Sequence, residues 1–535
     1  MPFSLAMRKM RYEWSLLAVV AALVACGGGG GGGSPIPPGP PPTPQSTLTP
    51  IPLPTGSTAY YLTQVQPGNG EPAYISDPIF LHFSEQPDVT FDPNGNPQGT
   101  TISAISVTGL TGGAPAQPAV RFIYAPTNPQ LGPDVIGVKF YAVAGAQYRI
   151  AIASSATSAS GVSYSGAASF VATLPTTPPL PAPIPPQSGS SDFYGLVPQV
   201  ASGTSTAQEE AWVSALHPQV VRIGVDATDV EPSPGVFSYT NLDAKLAGAG
   251  RPAIVLLVQY NAPGWATGTH NPSPAGSGYI FCHATDYANF VNAVVDHVLK
   301  NAAAGTYPAP AAFEIGNEPD TQNFWDAAAG CPHPFTNSGD PTPYLPYLED
   351  TYALAKPTAR ADGYPNLPFL NAGIATDSND ETYFDKIVNA LAANPASPFL
   401  DNYAVHIYAF ADPNANAIPT RSWESFQVLI DDGNYAQSQG LSKPFWVTEG
   451  GFQVSPYCAD GVDPQTQAYF LAEDYNRMAQ LTVPSVEAFT YFNLQDNQQV
   501  GPVPAPGDPC FANAGFGLVD YNGNERPSFA AFEHL

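Results

Sequence analysis

Positive charge is what this sequence has least of. Seventeen Lys and Arg stand against forty-four Asp and Glu, and all four types together make up only 11% of its 535 residues. The formal net charge is −27. Such a surface repels nucleic acid and anionic headgroups, so no nucleic-acid partner is expected. An uncharged ligand meets no such barrier. The apolar run from Leu16 to Val24 is too short to cross a bilayer. What is present in quantity is core material: 44% hydrophobic and 11% aromatic residues, enough for two or three folded units at this length.

The N-terminus reads as an address. Arg8, Lys9 and Arg11 precede the Leu16–Val24 run, the pattern of a signal peptide over 1–25. The run ends in Leu23-Val24-Ala25-Cys26, which resembles the bacterial lipobox. That resemblance implies lipidation of Cys26 and, with Gly27 next, export to the outer membrane, facing either periplasm or cell surface. The other reading is a plain secretory signal with an incidental cysteine. Contact with the membrane is expected through this anchor alone. Four further cysteines, Cys282, Cys331, Cys458 and Cys510, form an even set, which in an oxidising compartment suggests two disulfides. A zinc site built from Cys282-His283 and Cys331-Pro332-His333 competes, but its spacing matches no common zinc motif.

Composition divides the remainder. Residues 26–56, seven glycines and then Pro, Ser and Thr, cannot bury apolar area and should be a disordered tether. Residues 57–173 carry period-two runs such as Ile79-Phe80-Leu81-His82-Phe83, expected to form an antiparallel β-sandwich. The unit resembles bacterial Ig-like domains and would serve as a spacer or bind glycan. The Pro-rich stretch 174–191 should be a semi-rigid spacer. From 192 to 535, strand-like and helix-like runs alternate. Eight strands are expected, beginning at Phe193, Val220, Ala253, Ala312, Phe369, Tyr403, Phe445 and Ala488. Helices are expected over 206–216, with Thr206 and Glu209 as a capping box, and over 286–299. Eight such units point to a (β/α)8 barrel.

In such barrels chemistry gathers where strands end. The strand ends offer Arg222, Asn317 and Glu318, His406 and Tyr408, Glu449, and Phe492. Glu318 and Glu449 would face each other across the barrel mouth, the pairing that glycosidic hydrolysis needs. One carboxyl must stay protonated and the other ionised. Arg222 and Tyr408 are the candidates to hold Glu449 ionised, while burial and the neighbouring Glu449 would keep Glu318 protonated.

At these residues a resemblance appears. "EIGNEPD" (314–320) followed by "PFWVTEGGF" (444–452) resembles clan A of the glycoside hydrolases, retaining (β/α)8 enzymes that include families 5 and 39. The segments 229–243, 262–266 and 515–533 are similar to the clan's loops after strands 2 and 3 and to its ending. The resemblance implies Glu318 as acid/base, Glu449 as nucleophile, Asn317 on the sugar 2-hydroxyl and Arg222 behind the nucleophile. His406 and Tyr408 match the clan's strand 6 pair. Phe492 stands where many members carry Trp as the floor of the −1 subsite. No metal or organic cofactor is implied.

His406, between Val405 and Ile407, could equally be a core histidine. Trp265, Trp325, Trp423 and Phe452 fall in expected loops, where they could stack on sugar faces. The neighbouring loops pair Cys282 with Cys331 and Cys458 with Cys510. The expected function is a monomeric, retaining β-glycosidase or endo-β-glycanase acting on a polysaccharide or oligosaccharide. The alternative is a surface glycan-binding or adhesion lipoprotein with an inactive barrel. Glu314 should point inward below Glu318, near Arg222, and Asp320 should be a loop cap.

Overall fold

The computed structural model describes residues 59–66, 78–91, 97–124, 132–248, 253–267, 280–321, 324–325, 331–337, 339–375, 380–408, 422–459, 461–500 and 515–535. The expected signal segment, the lipidation site Cys26 and the tether lie outside them. Among the described residues no helix is long and apolar enough to cross a membrane.

The first part is all β. Its strands are β1 (Leu62–Gln66), β2 (Ile79–Phe83), β3 (Thr90–Phe91), β4 (Pro97–Gln98), β5 (Ile105–Gly109), β6 (Val120–Ile123), β7 (Val135–Phe140), β8 (Gln147–Ile152) and β9 (Ser169–Thr173). Two antiparallel sheets, β1-β2-β7-β6 and β5-β8-β9, contribute to one apolar core. Period-two alternation explains β8: Tyr148, Ile150 and Ile152 are buried while Arg149 faces solvent.

Eight parallel strands follow: β10 (Tyr194–Leu196), β11 (Val220–Val225), β12 (Ala253–Val258), β13 (Ala312–Asn317), β14 (Phe369–Gly373), β15 (Tyr403–Tyr408), β16 (Phe445–Gly451) and β17 (Val486–Tyr491). They form one sheet in the order β14-β13-β12-β11-β10-β17-β16-β15. Parallel bridges Leu370–Asn402 and Ile374–Val405 join its two edges. Helices alternate with the strands, giving the (β/α)8 barrel expected from the sequence. The near-continuous apolar runs "AIVLLV" and "VVRIGV" suit strands covered on both faces. Val220, Val255, Ala312, Leu370, Ala404, Trp446 and Ala488 close the barrel from below. Polar residues begin two positions further along, with Arg222, Glu314 and Thr448.

Two local expectations change. Helix 206–216 has the expected bounds, but its cap is Ser205, whose hydroxyl accepts the Gln208 N–H at 3.2 Å, so the capping position sits one residue before Thr206. The Pro-rich stretch 174–191 is a docked strap. Asn476 on helix 464–480 accepts the Ile184 N–H and donates to the Ala182 carbonyl, both at 2.8 Å. Gln187 N–H reaches Ala479 O at 2.7 Å. Proline lacks the amides that a sheet would need, but its rigid backbone loses little entropy on being pinned at a few points.

The β-sheet domain also bonds directly to the loop after β16. Ala142 N–H donates to Gly461 O and Ala142 O accepts from Asp463 N–H. Asp463 Oδ2 accepts the Ala144 N–H at 2.9 Å, while Oδ1 accepts the first amides of helix 464–480, from Gln465 and Thr466. One carboxylate thus caps a barrel helix and holds the neighbouring domain.

Candidate active site

The strand β13 carries the "FEIGNEPD" motif (313–320), and the structure separates its acids. Glu314 is fully buried. Its Oε2 accepts Arg222 Nε at 2.6 Å, and its Oε1 accepts Arg222 Nη2, Gly373 N–H and Thr448 Oγ1 at 2.9–3.0 Å. It ties four strands together beneath the mouth. Above it the chain turns through Gly316, at φ 86°, into Glu318, at φ 42°. A Cβ on Gly316 would lie 2.2 Å from the Tyr260 ring, so only glycine fits there. A non-glycine residue at positive φ is uncommon, and here it is the residue that carries the candidate proton donor. Asp320, expected as a loop cap, is fully buried and accepts the Ala375 N–H at 3.2 Å.

Glu449 ends the inward face of β16 with its side chain 12% exposed. Arg222 Nη1 donates to Glu449 Oε1, and Tyr408 Oη donates to Oε2 at 2.6 Å. His406 Nδ1 lies 3.8 Å from that same Oε2. Burial opposes ionisation of Glu449. The charges of His406 and Arg222, with the hydrogen bonds from Tyr408 and Arg222, outweigh it and hold the carboxyl below the usual carboxylate range. Burial also works against the charged form of Arg222, but Glu314 and Glu449 together raise its affinity for the proton.

Glu318 has a partner that its sequence neighbourhood does not reveal. His406 Nδ1 is 2.7 Å from Glu318 Oε1. Space for the imidazole comes from Gly373 on β14, where a Cβ would lie 2.0 Å from His406 Nε2. Burial lowers the basicity of His406, yet Glu449 and Glu318 together raise it above the ordinary value. One oxygen or nitrogen from each of Glu318, His406 and Glu449 falls within 4.8 Å of the others. Such a set could hold a cation, but the Arg222 guanidinium already supplies positive charge against Glu449.

Asn317 is buried, and its Oδ1 accepts Arg222 Nη2 at 2.8 Å. Its Nδ2 makes no hydrogen bond among the described residues and remains a donor for a ligand. Phe492 packs edge-on against Tyr408 and Phe516 and lines a cavity with Arg222 and Glu449.

The tryptophans behave differently. Trp325 is 1% exposed, wedged edge-on against Tyr260 and Tyr347, with Nε1 donating to His333 O. A ring with no open face cannot stack on a sugar, so the expected substrate contact is corrected to a core role. Half-buried Trp265 donates Nε1 to the Glu231 carbonyl at 3.1 Å and braces the segment after β11. Phe452 is buried against Phe470, and the Trp423 side chain lies outside the described residues. Cys282 and Cys331 are bonded to each other, which removes the zinc reading. Cys458 is buried and disulfide-bonded; Cys510, its expected partner, lies outside the described residues.

No family model matches the chain, and no curated protein matches it. Among solved structures, the chain is similar to a family 39 glycoside hydrolase from the gut symbiont Bacteroides cellulosilyticus WH2. Identity is 14%, over 75% of this chain and 72% of that one, with a TM-score of 0.44. It is also similar to a family 39 β-xylosidase from Caulobacter crescentus, at 17% identity over 66% of this chain and 72% of that one, with a TM-score of 0.42. Overlaps this loose carry no argument about chemistry, which rests on the side-chain geometry.

Proposed function

We propose that this protein is a retaining β-glycosidase acting on a neutral polysaccharide or oligosaccharide, with Glu449 as nucleophile and Glu318 as acid/base. The observation that carries this reading is the asymmetry of two close carboxylates. An oxygen of each lies within 4.8 Å of the other, close enough for both to act on one glycosidic bond. Glu449 alone is bound by a guanidinium and a phenol, which suits an ionised nucleophile.

In the first step Glu449 attacks the anomeric carbon while Glu318 protonates the departing oxygen. The bond to the leaving sugar breaks, and a glycosyl ester forms on Glu449. In the second step Glu318, now a carboxylate, takes a proton from water as that water attacks the ester. The sugar is released with its original β configuration. His406, bonded to Glu318, holds the acid/base in place. Asn317 Nδ2 is placed to meet a hydroxyl beside the reacting carbon. Phe492 supplies an apolar wall for the sugar ring.

Export and lipidation at Cys26, with the two-sheet domain acting as an immunoglobulin-like spacer near the outer membrane, complete the proposal. The test is the anomeric configuration of the first product, followed by proton NMR on a panel of β-glycans. The β-anomer should appear first; the α-anomer would sink the mechanism. No turnover on any glycan, with binding unchanged in Glu449→Gln, would favour the adhesion alternative.

A further inference from the structure

A cavity of about 620 Å3 opens beside Glu449, toward β10, β11 and β12. That volume is in the range of small-molecule sites. Arg222, Glu449 and Phe492 line it, but Glu318, His406 and Tyr408 do not. In a retaining glycosidase the leaving group must lie against the proton donor. A cavity that touches the nucleophile and avoids the donor is therefore on the other side of the scissile bond, the side of the non-reducing sugars.

The cavity owes its depth to Gly224. This residue stands on β11 one inward position beyond Arg222, and a Cβ built there meets nothing within 4 Å. Its φ is not positive, so neither backbone nor packing demands glycine. The open space does.

Beyond Gly224 the walls become polar through Asp226, Lys245 and Gln259. Asn261 Nδ2 donates to Asp226 Oδ1 at 3.2 Å and fixes that carboxylate. Among the described residues Lys245 Nζ reaches only to Gly224 O, at 3.5 Å. Gln259 Oε1 is enclosed and has no hydrogen-bond partner among the described residues. Such an orphan acceptor is uncommon, and rotation of the amide would offer it a hydroxyl. A carboxylate, an ammonium and an amide make a set of partners for sugar hydroxyls. Glu209 and Glu210 at the rim tip its charge toward the acidic, against a uronate and in favour of a neutral sugar.

We propose that this cavity is a second sugar subsite on the non-reducing side of the cut. The enzyme then requires at least two sugars there and does not trim single terminal residues. The proposal rests on the glycosidase reading, and the test separates the two. The probes are p-nitrophenyl β-glycosides of glucose, mannose, xylose and galactose, with the matching β-1,4-linked biosides. The readout is released nitrophenol together with the intact bioside product. For the accepted sugar, kcat/KM on the bioside should exceed that on the monoside by at least about tenfold. Gly224→Leu should fill the cavity and bring that ratio close to one, without lowering the thermal midpoint. Asp226→Ala should lower the ratio in the same direction and serves if the leucine variant does not fold. Equal rates on monosides and biosides in the wild-type enzyme, or equal losses on both in Gly224→Leu, overturn the subsite and leave a glycosidase standing. Turnover of no member of the panel overturns both.

Discussion

His406 Nδ1 lies 2.7 Å from Glu318 Oε1, in a space that exists because residue 373 is glycine. The same nitrogen is 3.8 Å from Glu449 Oε2, so the two candidate catalytic carboxylates share one imidazole. A charge on that imidazole is felt by the Glu449 carboxylate.

Replacing His406 with Asn removes that shared charge. Glu449 loses a group that favours its ionised form, so its proton affinity should rise. The acidic limb of the kcat/KM profile should therefore move to higher pH, with kcat lower by about 10²-fold. A lower rate with an unshifted profile would reduce His406 to a packing residue.

Tyr408→Phe tests the second support of the proposed nucleophile. The hydroxyl donates to Glu449 Oε2 at 2.6 Å, and loss of one such preorganised donor costs about 10²–10³ in kcat. The acidic limb should again rise, because the removed bond stabilises the ionised carboxylate. Unchanged kcat with a raised KM would place Tyr408 in ground-state binding only.

Much of this site was legible from strand ends. Arg222, Asn317, Glu318, His406, Tyr408, Glu449 and Phe492 come from five strands, and their place in or just after the end of an apolar strand marked them. The barrel followed from the alternation of apolar strands with amphipathic helices, though β16 runs three residues further than its apolar signal. Trp325 was misjudged because local sequence puts it in a loop, while the tyrosines that enclose it arrive from the segment just after strand β12 and from helix 345–361. The Glu318–His406 bond was invisible for a similar reason. It depends on a missing Cβ at Gly373, and glycine in a strand signals only that something comes close. The docked strap was unreadable because a Pro-rich stretch looks the same whether free or pinned.

Asp463→Ala should weaken both a helix and a domain contact. The carboxylate caps helix 464–480 and accepts the Ala144 amide. The expected loss is about 1–2 kcal/mol from the cap alone, read as a lower urea midpoint. Asp463→Asn should recover part of it. No change in either variant would make the domain contact incidental.

Asp474→Asn should stabilise the protein. Asp474 is 3% exposed on the core-facing side of helix 464–480, with Oδ1 unpaired among the described residues. Burial, aided by Glu473 and opposed by Arg477, pushes its carboxyl well above the usual range. A raised carboxyl pKa makes the folded state hold the proton. Its contribution is fully present below the unfolded carboxylate range and is lost as pH rises through the folded value. The amide cannot ionise, so the variant should unfold roughly 2 °C or more higher at neutral pH. The gain should vanish toward pH 3. A variant that melts lower at pH 7 would mean that the charged form is sheltered.

The central claim is that Glu449 becomes covalently attached to the sugar. An activated 2-deoxy-2-fluoro β-glycoside, followed by intact-mass measurement and peptide mapping, reads that step directly. One glycosyl adduct on the 445–451 segment, mapped to Glu449 and absent from Glu449→Gln, is the expected result. An adduct on Glu318 would contradict the assignment, as would turnover with inverted configuration and no adduct.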